Sequence, residues 1–210
     1  MENILVIDKP SGMTSHDVID VVRRRFGIKK VGHCGTLDPM ATGVLVVLMN
    51  KATKLSAKLC CDDKEYVCRM TLGLSTDTHD STGNIIEKKQ VSGITETRIK
   101  NVIMSFSGKQ KQIPPMVSAK YHNGERLYKL ARKGVVVERE PVDIDIKDMH
   151  IISIDGDNIA LNITCSKGTY VRTLCHDIGK KLGCGAHMSS LRRIRSGAFH
   201  IKDAIGLGDI

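Results

Sequence analysis

Residues 32–49 read GHCGTLDPMATGVLVVLM and join a loop that carries one carboxylate to a long apolar run. The run at residues 43–49 contains no polar side chain, which is typical of a strand buried on both faces of a sheet. Asp38 stands among glycines, threonines and small apolar residues, and no other acidic residue occurs between Asp20 and Asp62. The question is what a solitary carboxylate does directly ahead of a buried strand.

Two interpretations of Asp38 follow from the local sequence. An Asp-Pro pair commonly begins a turn, so Asp38 could be a structural turn residue. Alternatively, a carboxylate among small residues lets a substrate come close while water is kept away. Carboxylates do act as nucleophiles at sugar carbons, but glycoside hydrolysis needs a pair of them. The missing second carboxylate argues against a glycosidase and leaves the two interpretations open.

The composition of the 210 residues is that of a soluble globular protein, with 41% hydrophobic and 26% charged residues. No apolar run approaches the ~20 residues that cross a bilayer. The first residues, MENILVIDKP, lack the pattern of a signal peptide. Seven cysteines are an odd number and include no CxxC, which favours free thiols in a reducing compartment. A cytoplasmic location is therefore expected.

The charge balance favours a polyanionic partner. The formal net charge is +9 and the pI is near 9.2, which places nucleic acid first and an anionic membrane second. No long basic amphipathic helix is free to bind lipid, so RNA is preferred over a membrane. The basic groups are Arg23/Arg24/Arg25 with Lys29/Lys30, Lys109/Lys111, Lys129/Arg132/Lys133, Lys180/Lys181 and Arg192/Arg193/Arg195. Any one group alone is usually a solvated surface, and the first also suits the C-terminus of a helix.

Strands are expected to outnumber helices and to occur in runs. This order favours one α+β domain with a mainly antiparallel sheet and flanking helices over a parallel βαβ array. Thr14 to Asp17 matches a capping box that begins a helix with Val18, Val21, Val22 and Phe26 inward, ending at Gly27. Strands are predicted at 4–7, 43–49, 66–72, 84–91, 135–137, 142–146, 150–154 and 159–165. Further helices are predicted at 52–61, 95–106, 125–133 and 169–182, with a loop at 108–115.

The sequence gives little support for a nucleotide-binding loop, a thiol nucleophile or a metal site. Neither GxxxxGK[ST] nor GxGxxG is present, so a bound nucleotide is not expected. His33 beside Cys34 suggests a thiol nucleophile, but adjacent residues rarely point the same way, and a buried thiol is the better interpretation. Asp77, His79 and Asp80 match no standard metal site, and a solvated loop explains them better.

Tyrosines are informative because aromatic residues make up only 3% of the chain and tryptophan is absent. Tyr66 and Tyr170 each lie at the edge of an apolar segment among charged residues. A tyrosine in such a place can offer its ring to a base while its hydroxyl stays hydrogen-bonded. An ordinary tyrosine at the edge of the core is the alternative for each.

Five blocks, in order, resemble the TruB-type pseudouridine synthases, which make pseudouridine 55 in the T arm of tRNA. The first two are DKPSGMTS at 8–15 and GHCGTLDPMATGVL with KATKL at 32–55. The third runs from Leu72-Gly73 to Gly83 and resembles the family's GxxTxTxD loop. The fourth runs from Gln112 to Gly134, and the last comprises GTYVR at 168–172 and LGCGAH at 182–187 with Leu191-Arg192-Arg193. The likeness extends over nearly the whole chain.

The resemblance implies roles for six residues. Asp38 falls on the catalytic aspartate, and Arg172 falls on the arginine that pairs with it. His33, Tyr66, Tyr170 and Leu191 fall where the family contacts RNA or the target nucleotide.

Two departures from the family pattern stand out. Val117 and Glu140 occupy positions where the family more often has an aromatic residue and an arginine. Many bacterial members also continue into a small C-terminal RNA-binding (PUA) domain, whereas residues 1–210 read as the catalytic domain alone. Weaker or less selective tRNA binding is expected from that difference.

The expected function is isomerisation of uridine to pseudouridine, with the target base turned out of the RNA stack. Asp38 would act either as a nucleophile at C1′ or as a base in elimination through a glycal. No redox step is involved, so no cofactor is implied. The expected partner is the T-arm stem-loop of tRNA, and the protein is expected to act as a monomer without a membrane. The alternative is a non-catalytic RNA-binding or tRNA-chaperone module on the same fold.

Overall fold

A computed structural model of the chain describes residues 3–60 and 62–210. Within them the strands are β1 (Ile4–Lys9), β2 (Val31–Cys34), β3 (Thr42–Met49), β4 (Lys64–Leu72), β5 (Leu74–Thr76), β6 (Ile85–Lys88), β7 (Gly108–Gln112), β8 (Tyr121–His122), β9 (Glu125–Arg126), β10 (Val142–Asp155), β11 (Asn158–Cys165), β12 (Ala186–Ser196), β13 (Phe199–His200) and β14 (Ile205–Gly206). The α-helices are α1 (Ser15–Phe26), α2 (Ser56–Leu59), α3 (Glu96–Met104), α4 (Leu127–Arg132) and α5 (Val171–Leu182). Short 3₁₀ helices cover Asn50–Leu55, Ile201–Asp203 and Leu207–Asp209.

One large mixed sheet forms the centre of the molecule, in the order β14-β1-β3-β12-β4-β11-β10-β7. β2 pairs with β3 and β13 pairs with β12 along the same sheet. Its described pairs are antiparallel except for β1 with β14 and β3 with β12. The predicted α+β fold with a mainly antiparallel sheet is confirmed. None of the helices in the described part of the chain is long and apolar enough to span a bilayer.

β3 is buried on both faces, as its apolar run predicts. Its alternate residues enter two different cores because successive side chains point to opposite faces of a sheet. One face packs against α1, and the other packs against the 3₁₀ helix Asn50–Leu55 and the chain after β12. The residues on the α1 side are Leu45, Val47 and Met49, and those on the opposite side are Val44, Val46 and Leu48.

The largest core lies between β4, β10, β11 and β12 and the helices α3 and α5. Gly179 of α5 makes this packing close, since a Cβ there would lie 2.2 Å from the backbone nitrogen of Ala186. α5 therefore lies directly on β12.

Helix ends follow the predicted signals. Thr14 caps α1 in a complete capping box with Asp17, and Gly27 ends the helix in the left-handed conformation at φ 63°. The predicted inward position of Phe26 is wrong, because its side chain is 44% exposed and Ile19 is buried instead.

Several strand predictions need correction. Residues 135–137 form no strand, whereas β7 occupies part of the predicted loop at 108–115. The two strands predicted at 142–146 and 150–154 are one strand, β10, with irregular pairing to β11. β12 was not predicted at all, although it lies in the middle of the sheet.

The helix predicted at 52–61 is a 3₁₀ helix, Asn50–Leu55, followed by the single turn of α2. Its last predicted residue, Cys61, lies outside the described residues.

Candidate active site

Residues 35–41, here called the site loop, carry Asp38 between β2 and β3. The loop is tied to the N-terminal segment by backbone groups: the Gly12 amide donates to the Pro39 carbonyl at 2.9 Å. The Leu37 amide donates to the Ser15 hydroxyl at 2.9 Å, and the Ala41 amide closes a turn on the Asp38 carbonyl at 3.0 Å. The Asp38 backbone therefore has little freedom to move.

Two buried cations lie beneath the site loop. Lys9 is fully buried and its ammonium donates to the carbonyls of Pro10, Met13 and Pro39 at 2.8, 2.6 and 3.2 Å. Burial lowers the pKa of Lys9 to about 8, although the nearby Asp38 carboxylate acts in the opposite direction. A positive charge in this position stabilises the ionised form of the Asp38 carboxyl.

Arg193 of β12 is the second buried cation. Its guanidinium donates to the Val44 carbonyl at 2.7 Å and to the Gly35 carbonyl at 2.9 Å. β12 pairs with β3 in parallel, and Arg193 lies opposite Gly43. At Gly43 φ is +100°, and a Cβ would lie 2.2 Å from the Arg193 carbonyl oxygen. Only glycine fits both the backbone conformation and the close approach, so Gly43 places Arg193 under the loop.

Arg172, near the start of α5, links two carboxylates. Its guanidinium lies 3.4 Å from the Asp38 carboxylate and 3.4 Å from the Asp80 carboxylate, and it also donates to the Val117 carbonyl. Arg172 and Asp80 are both buried. Asp80 is held in turn by the Thr82 amide and hydroxyl at 2.9 and 2.6 Å. The pairing of Arg172 with Asp38 that the resemblance implies is present in the structure.

The Asp38 side chain keeps 32% of its surface exposed, so a substrate can reach it from outside. Burial raises the pKa of the Asp38 carboxyl above its usual value of 3.8, and Asp80 adds to this. Arg172 and Lys9 act in the opposite direction. Arg172 thus favours the charged form of the Asp38 carboxyl, but desolvation has the larger effect on its pKa.

Two phenols lie close enough to Asp38 to interact with its charge. Burial raises the pKa of Tyr66 on β4 and of Tyr170 just before α5, and the Asp38 charge contributes to both rises. Tyr66 is only 8% exposed, whereas Tyr170 is half-buried. The Tyr170 backbone is held on both sides by the Gln112 side chain, at 2.8 and 3.0 Å.

The other two predicted residues lie at the margins of this group. Leu191 on β12 is buried in the same core as Leu37 and Tyr66. His33 on β2 lies near Arg193 and His16, and burial lowers its pKa. The structure thus brings Asp38, Arg172, Tyr66 and Tyr170 together, while His33 occupies the side toward α1.

The structure gives ordinary roles to the residues considered for a thiol nucleophile and for a metal site. Burial raises the pKa of the Cys34 thiol to about 12, which leaves it protonated and a poor nucleophile near neutral pH. Asp77 accepts hydrogen bonds from the Asn84 amide and side chain, and His79 stacks on His176 at 4.0 Å. Within the described residues, no group of three or more His, Cys, Asp or Glu could hold a metal ion.

Sequence reasoning missed the roles of Lys9, Asp80 and Arg193. Lys9 was noted only as part of a motif, Asp80 as a weak metal ligand, and Arg193 as one of several basic groups. A buried Lys or Arg is rare unless it is paired, so local sequence pattern does not predict one. The only available signal was their presence inside blocks that resemble the family.

Comparison with protein families divides the chain into two consecutive matches. Residues 23–171 match the TruB family pseudouridylate synthase (N terminal domain), and residues 172–210 match the tRNA pseudouridylate synthase B C-terminal domain. The residues of the site come from both parts, with Asp38 in the first and Arg172 at the start of the second.

Two curated relatives carry the name tRNA pseudouridine synthase B. The protein from Syntrophotalea carbinolica is 50% identical over 207 residues, which cover 99% of this chain and 68% of the relative. The protein from Endomicrobium trichonymphae is 45% identical over 209 residues, covering all of this chain and 91% of the relative.

Solved structures show the same fold. A chain in a crystal structure of a Cbf5-Nop10-Gar1 complex superimposes with a TM-score of 0.77 at 33% identity over 99% of this chain. An H/ACA RNP bound to a substrate RNA containing 2'-deoxyuridine gives 0.74 at 30% identity over the same share. The present chain spans about half the length of these two chains, 53% and 51%.

Proposed function

Because this chain belongs to the TruB family of pseudouridylate synthases, we propose that it converts uridine 55 in the T arm of tRNA to pseudouridine, with Asp38 as the catalytic carboxylate. The chain is an isomerase of uridine in tRNA, as the family and its named relatives show. The observation that carries the proposal for Asp38 is its geometry. A partly exposed carboxylate is paired with a buried arginine and lies beside two phenols.

The reaction breaks the bond between C1′ and N1 of uridine, turns the base and joins C1′ to C5. The proton on C5 leaves and N1 gains one, so the product is an isomer and needs no oxidant or added group. An ionised Asp38 either attacks C1′ or removes a sugar proton to give a glycal. In both routes Arg172 keeps the carboxylate oriented, since a charge-assisted hydrogen bond restricts its rotation.

The target base must leave the RNA stack, at a cost of a few kcal/mol, and needs a surface to contact when it arrives. We assign that surface to Tyr66, with Tyr170 on the opposite wall. Tyr170 is the more accessible of the two phenols, so a part in proton transfer during base rotation is assigned to it. His33 and Leu191 are proposed to contact the RNA around the target.

The closed surroundings of Asp38 suit an isomerisation. The detached uracil must stay in place, and water must not capture the sugar. An isomerase has no water to activate, which explains why one carboxylate at the sugar is sufficient. Asp80 is directed at Arg172, and we assign it a positioning role.

We further propose that the protein works as a monomer in the cytoplasm on the T-arm stem-loop of tRNA. The described cysteines are free thiols, which fits a reducing compartment.

Treatment of an unmodified tRNA transcript, followed by position-resolved detection of pseudouridine with a carbodiimide, tests this proposal. We expect modification at position 55 and none in a transcript that carries cytidine there. Modification at another uridine would overturn the assigned target, and no modification would overturn the activity.

A further inference from the structure

A buried serine lies next to the site, and the reaction as described so far does not use it. Ser118 follows β7 and precedes β8, and it is only 5% exposed. Its Oγ makes no hydrogen bond of ordinary geometry within the described residues. A buried hydroxyl without a partner has an energetic cost, and such groups are few in folded proteins. We therefore looked for the group that this hydroxyl faces.

The backbone of Ser118 is held in place by its neighbours. Its amide donates to the Met116 carbonyl at 2.9 Å, and its carbonyl accepts a hydrogen bond from the Tyr128 amide of α4 at 3.0 Å. The carbonyl just before it, that of Val117, accepts a hydrogen bond from Arg172. Both backbone groups of Ser118 are thus paired, and the segment is tied to the arginine of the site.

The Ser118 hydroxyl faces the phenol of Tyr170. Burial raises the pKa of this phenol and Asp38 adds to the rise, while Ser118 lowers the pKa more than Arg172 does. A hydroxyl has this effect when it can donate to the ionised oxygen. The contact is looser than an ordinary hydrogen bond, as hydrogen bonds used in catalysis often are before the substrate binds.

Tyr170 is thereby contacted at both of its ends by one stretch of the chain. The Gln112 side chain, at the end of β7, accepts from the Tyr170 amide at 2.8 Å and donates to its carbonyl at 3.0 Å. Ser118, a little further along, faces the phenol. The first contact fixes where the ring begins, and the second can fix the direction of the phenol O–H, which otherwise rotates freely.

We propose that Ser118 is a positioning residue, which acts on the reaction through Tyr170. Its hydroxyl donates to the phenol oxygen, so the phenol O–H is directed toward the target base. This inference rests on the proposed function and on the part in proton transfer that is assigned there to Tyr170.

A phenol that gives and regains one proton completes the isomerisation without another reactant. N1 gains a proton after its bond to C1′ has broken, and C5 loses one after it has joined C1′. The Tyr170 phenol gives its proton to N1, and the phenolate takes up the proton that leaves C5. Between these two transfers the phenolate is stabilised by the Ser118 hydroxyl, since a hydrogen bond to the charged form favours that form.

The test compares Ser118→Ala with Ser196→Ala. Ser196, at the end of β12, is a matched control because it is also buried and its Oγ also lacks a hydrogen-bond partner among the described residues. Both substitutions are made in the wild-type protein and in Tyr170→Phe. The single-turnover rate on a tRNA transcript, the Kd for that transcript and the Tm are measured for each variant.

We expect Ser118→Ala to slow single-turnover pseudouridine formation by about tenfold, the usual effect of losing one well-placed hydrogen bond. The Kd should stay within about twofold of wild type, and the Tm should not fall, because a poorly paired buried hydroxyl adds little stability. In Tyr170→Phe the same substitution should have no further effect, since the two residues act as a unit. Ser118→Thr keeps the hydroxyl and should recover most of the rate.

NMR of protein labelled with ¹³C at the tyrosine Cζ reads the contact directly. The Tyr170 signal, identified by its absence from Tyr170→Phe, should move in Ser118→Ala and stay in place in Ser196→Ala. An unmoved signal, a wild-type rate in Ser118→Ala, an equal loss in Ser196→Ala, or losses that multiply in the double variant would each overturn the inference. Failure of the proposed function is separate, because it would appear as wild-type protein that makes no pseudouridine at position 55.

Discussion

The two segments that border Asp38, here called the walls of the site, differ in how firmly they are held. The site loop, residues 35–41, is fixed by hydrogen bonds with Lys9, Gly12, Ser15 and Arg193, which come from two separate segments, residues 9–15 and β12. Residues 113–140, here called the cover, contain only the short elements β8, β9 and α4.

The cover also exposes apolar side chains, with Val136 at 78% and Tyr121 at 64%. Yet it reaches the site, because the Val117 carbonyl accepts a hydrogen bond from Arg172. Segments with few buried contacts open most easily. We therefore expect the site loop to hold the reacting group in place and the cover to be the more mobile of the two segments.

Asp38→Asn keeps the shape of the site loop and removes its charge, so it is expected to have the largest effect. We expect single-turnover pseudouridine formation to fall by about 10⁴-fold or more, since no other carboxylate can replace it. Affinity for tRNA should stay within severalfold of wild type. Asp143→Asn at the far edge of the sheet is the control, and strong residual turnover in Asp38→Asn would refute the assignment.

Arg172→Met tests the link between the two walls. It leaves Asp38 and Asp80 without their shared partner, and an uncompensated buried charge costs about 3 kcal/mol or more. We expect the Tm to fall by at least about 6 °C and single-turnover rates by about 10²-fold. Arg172→Lys should recover part of the Tm but little of the rate, because lysine lacks the planar fork. A full-rate methionine variant would show that Asp38 needs no arginine.

A pair of glycine substitutions compares the walls directly. Gly43→Ala meets both a positive φ of +100° and the Arg193 carbonyl at 2.2 Å, whereas Gly134→Ala in the cover has a φ of +73° and open space. We expect losses of about 3 kcal/mol and about 1 kcal/mol in the free energy of unfolding. Urea denaturation measures both. Equal losses would show that the approach of β12 to β3 does not stabilise the site loop.

Lys9→Met removes one of the two buried cations next to the site loop. Activity requires ionised Asp38, so kcat/KM is lost as the pH falls through the pKa of that carboxyl, which burial raises. Lys9 lowers this pKa, and its removal should therefore move the acid limb of the pH profile to higher pH. A shift to lower pH would contradict the placement of Lys9 beneath Asp38.

The smallest effect on stability is expected in the cover. The guanidinium of Arg126 lies 4.7 Å from the centre of the Tyr121 ring, in an exposed cation–π contact worth about 0.5–1 kcal/mol. Tyr121→Ala should therefore lower the Tm by about 4 °C at most. Its effect should be larger on KM for tRNA than on kcat. A cooperative loss of folding would show that the cover is as firmly held as the site loop.

Local pattern predicted the elements whose side chains are mostly apolar or end in clear caps. β3 and α1 are the best examples, since one is a continuous apolar run and the other carries a capping box and a final glycine. β7 was missed because GKQKQ contains no apolar residue, and its place in the sheet comes from pairing with β10.

β12 was missed for a related reason. Its sequence AHMSSLRRIRS looks polar, yet Arg193 is buried and donates to backbone carbonyls. The same limit applies to the site. Asp38 could be singled out as an unusual residue, and its pairing with Arg172 followed from resemblance. The contact of Arg172 with Asp80 joins residues 92 positions apart, which no local pattern encodes.

A crystal structure of Asp38→Asn bound to a T-arm hairpin would show whether the carboxylate position meets the ribose of the target uridine. We expect uridine 55 to be turned out of the loop, with its C1′ about 3.5 Å from the substituted side chain and its base against Tyr66. A target uridine still stacked in the loop, or a C1′ more than about 6 Å from that side chain, would contradict it.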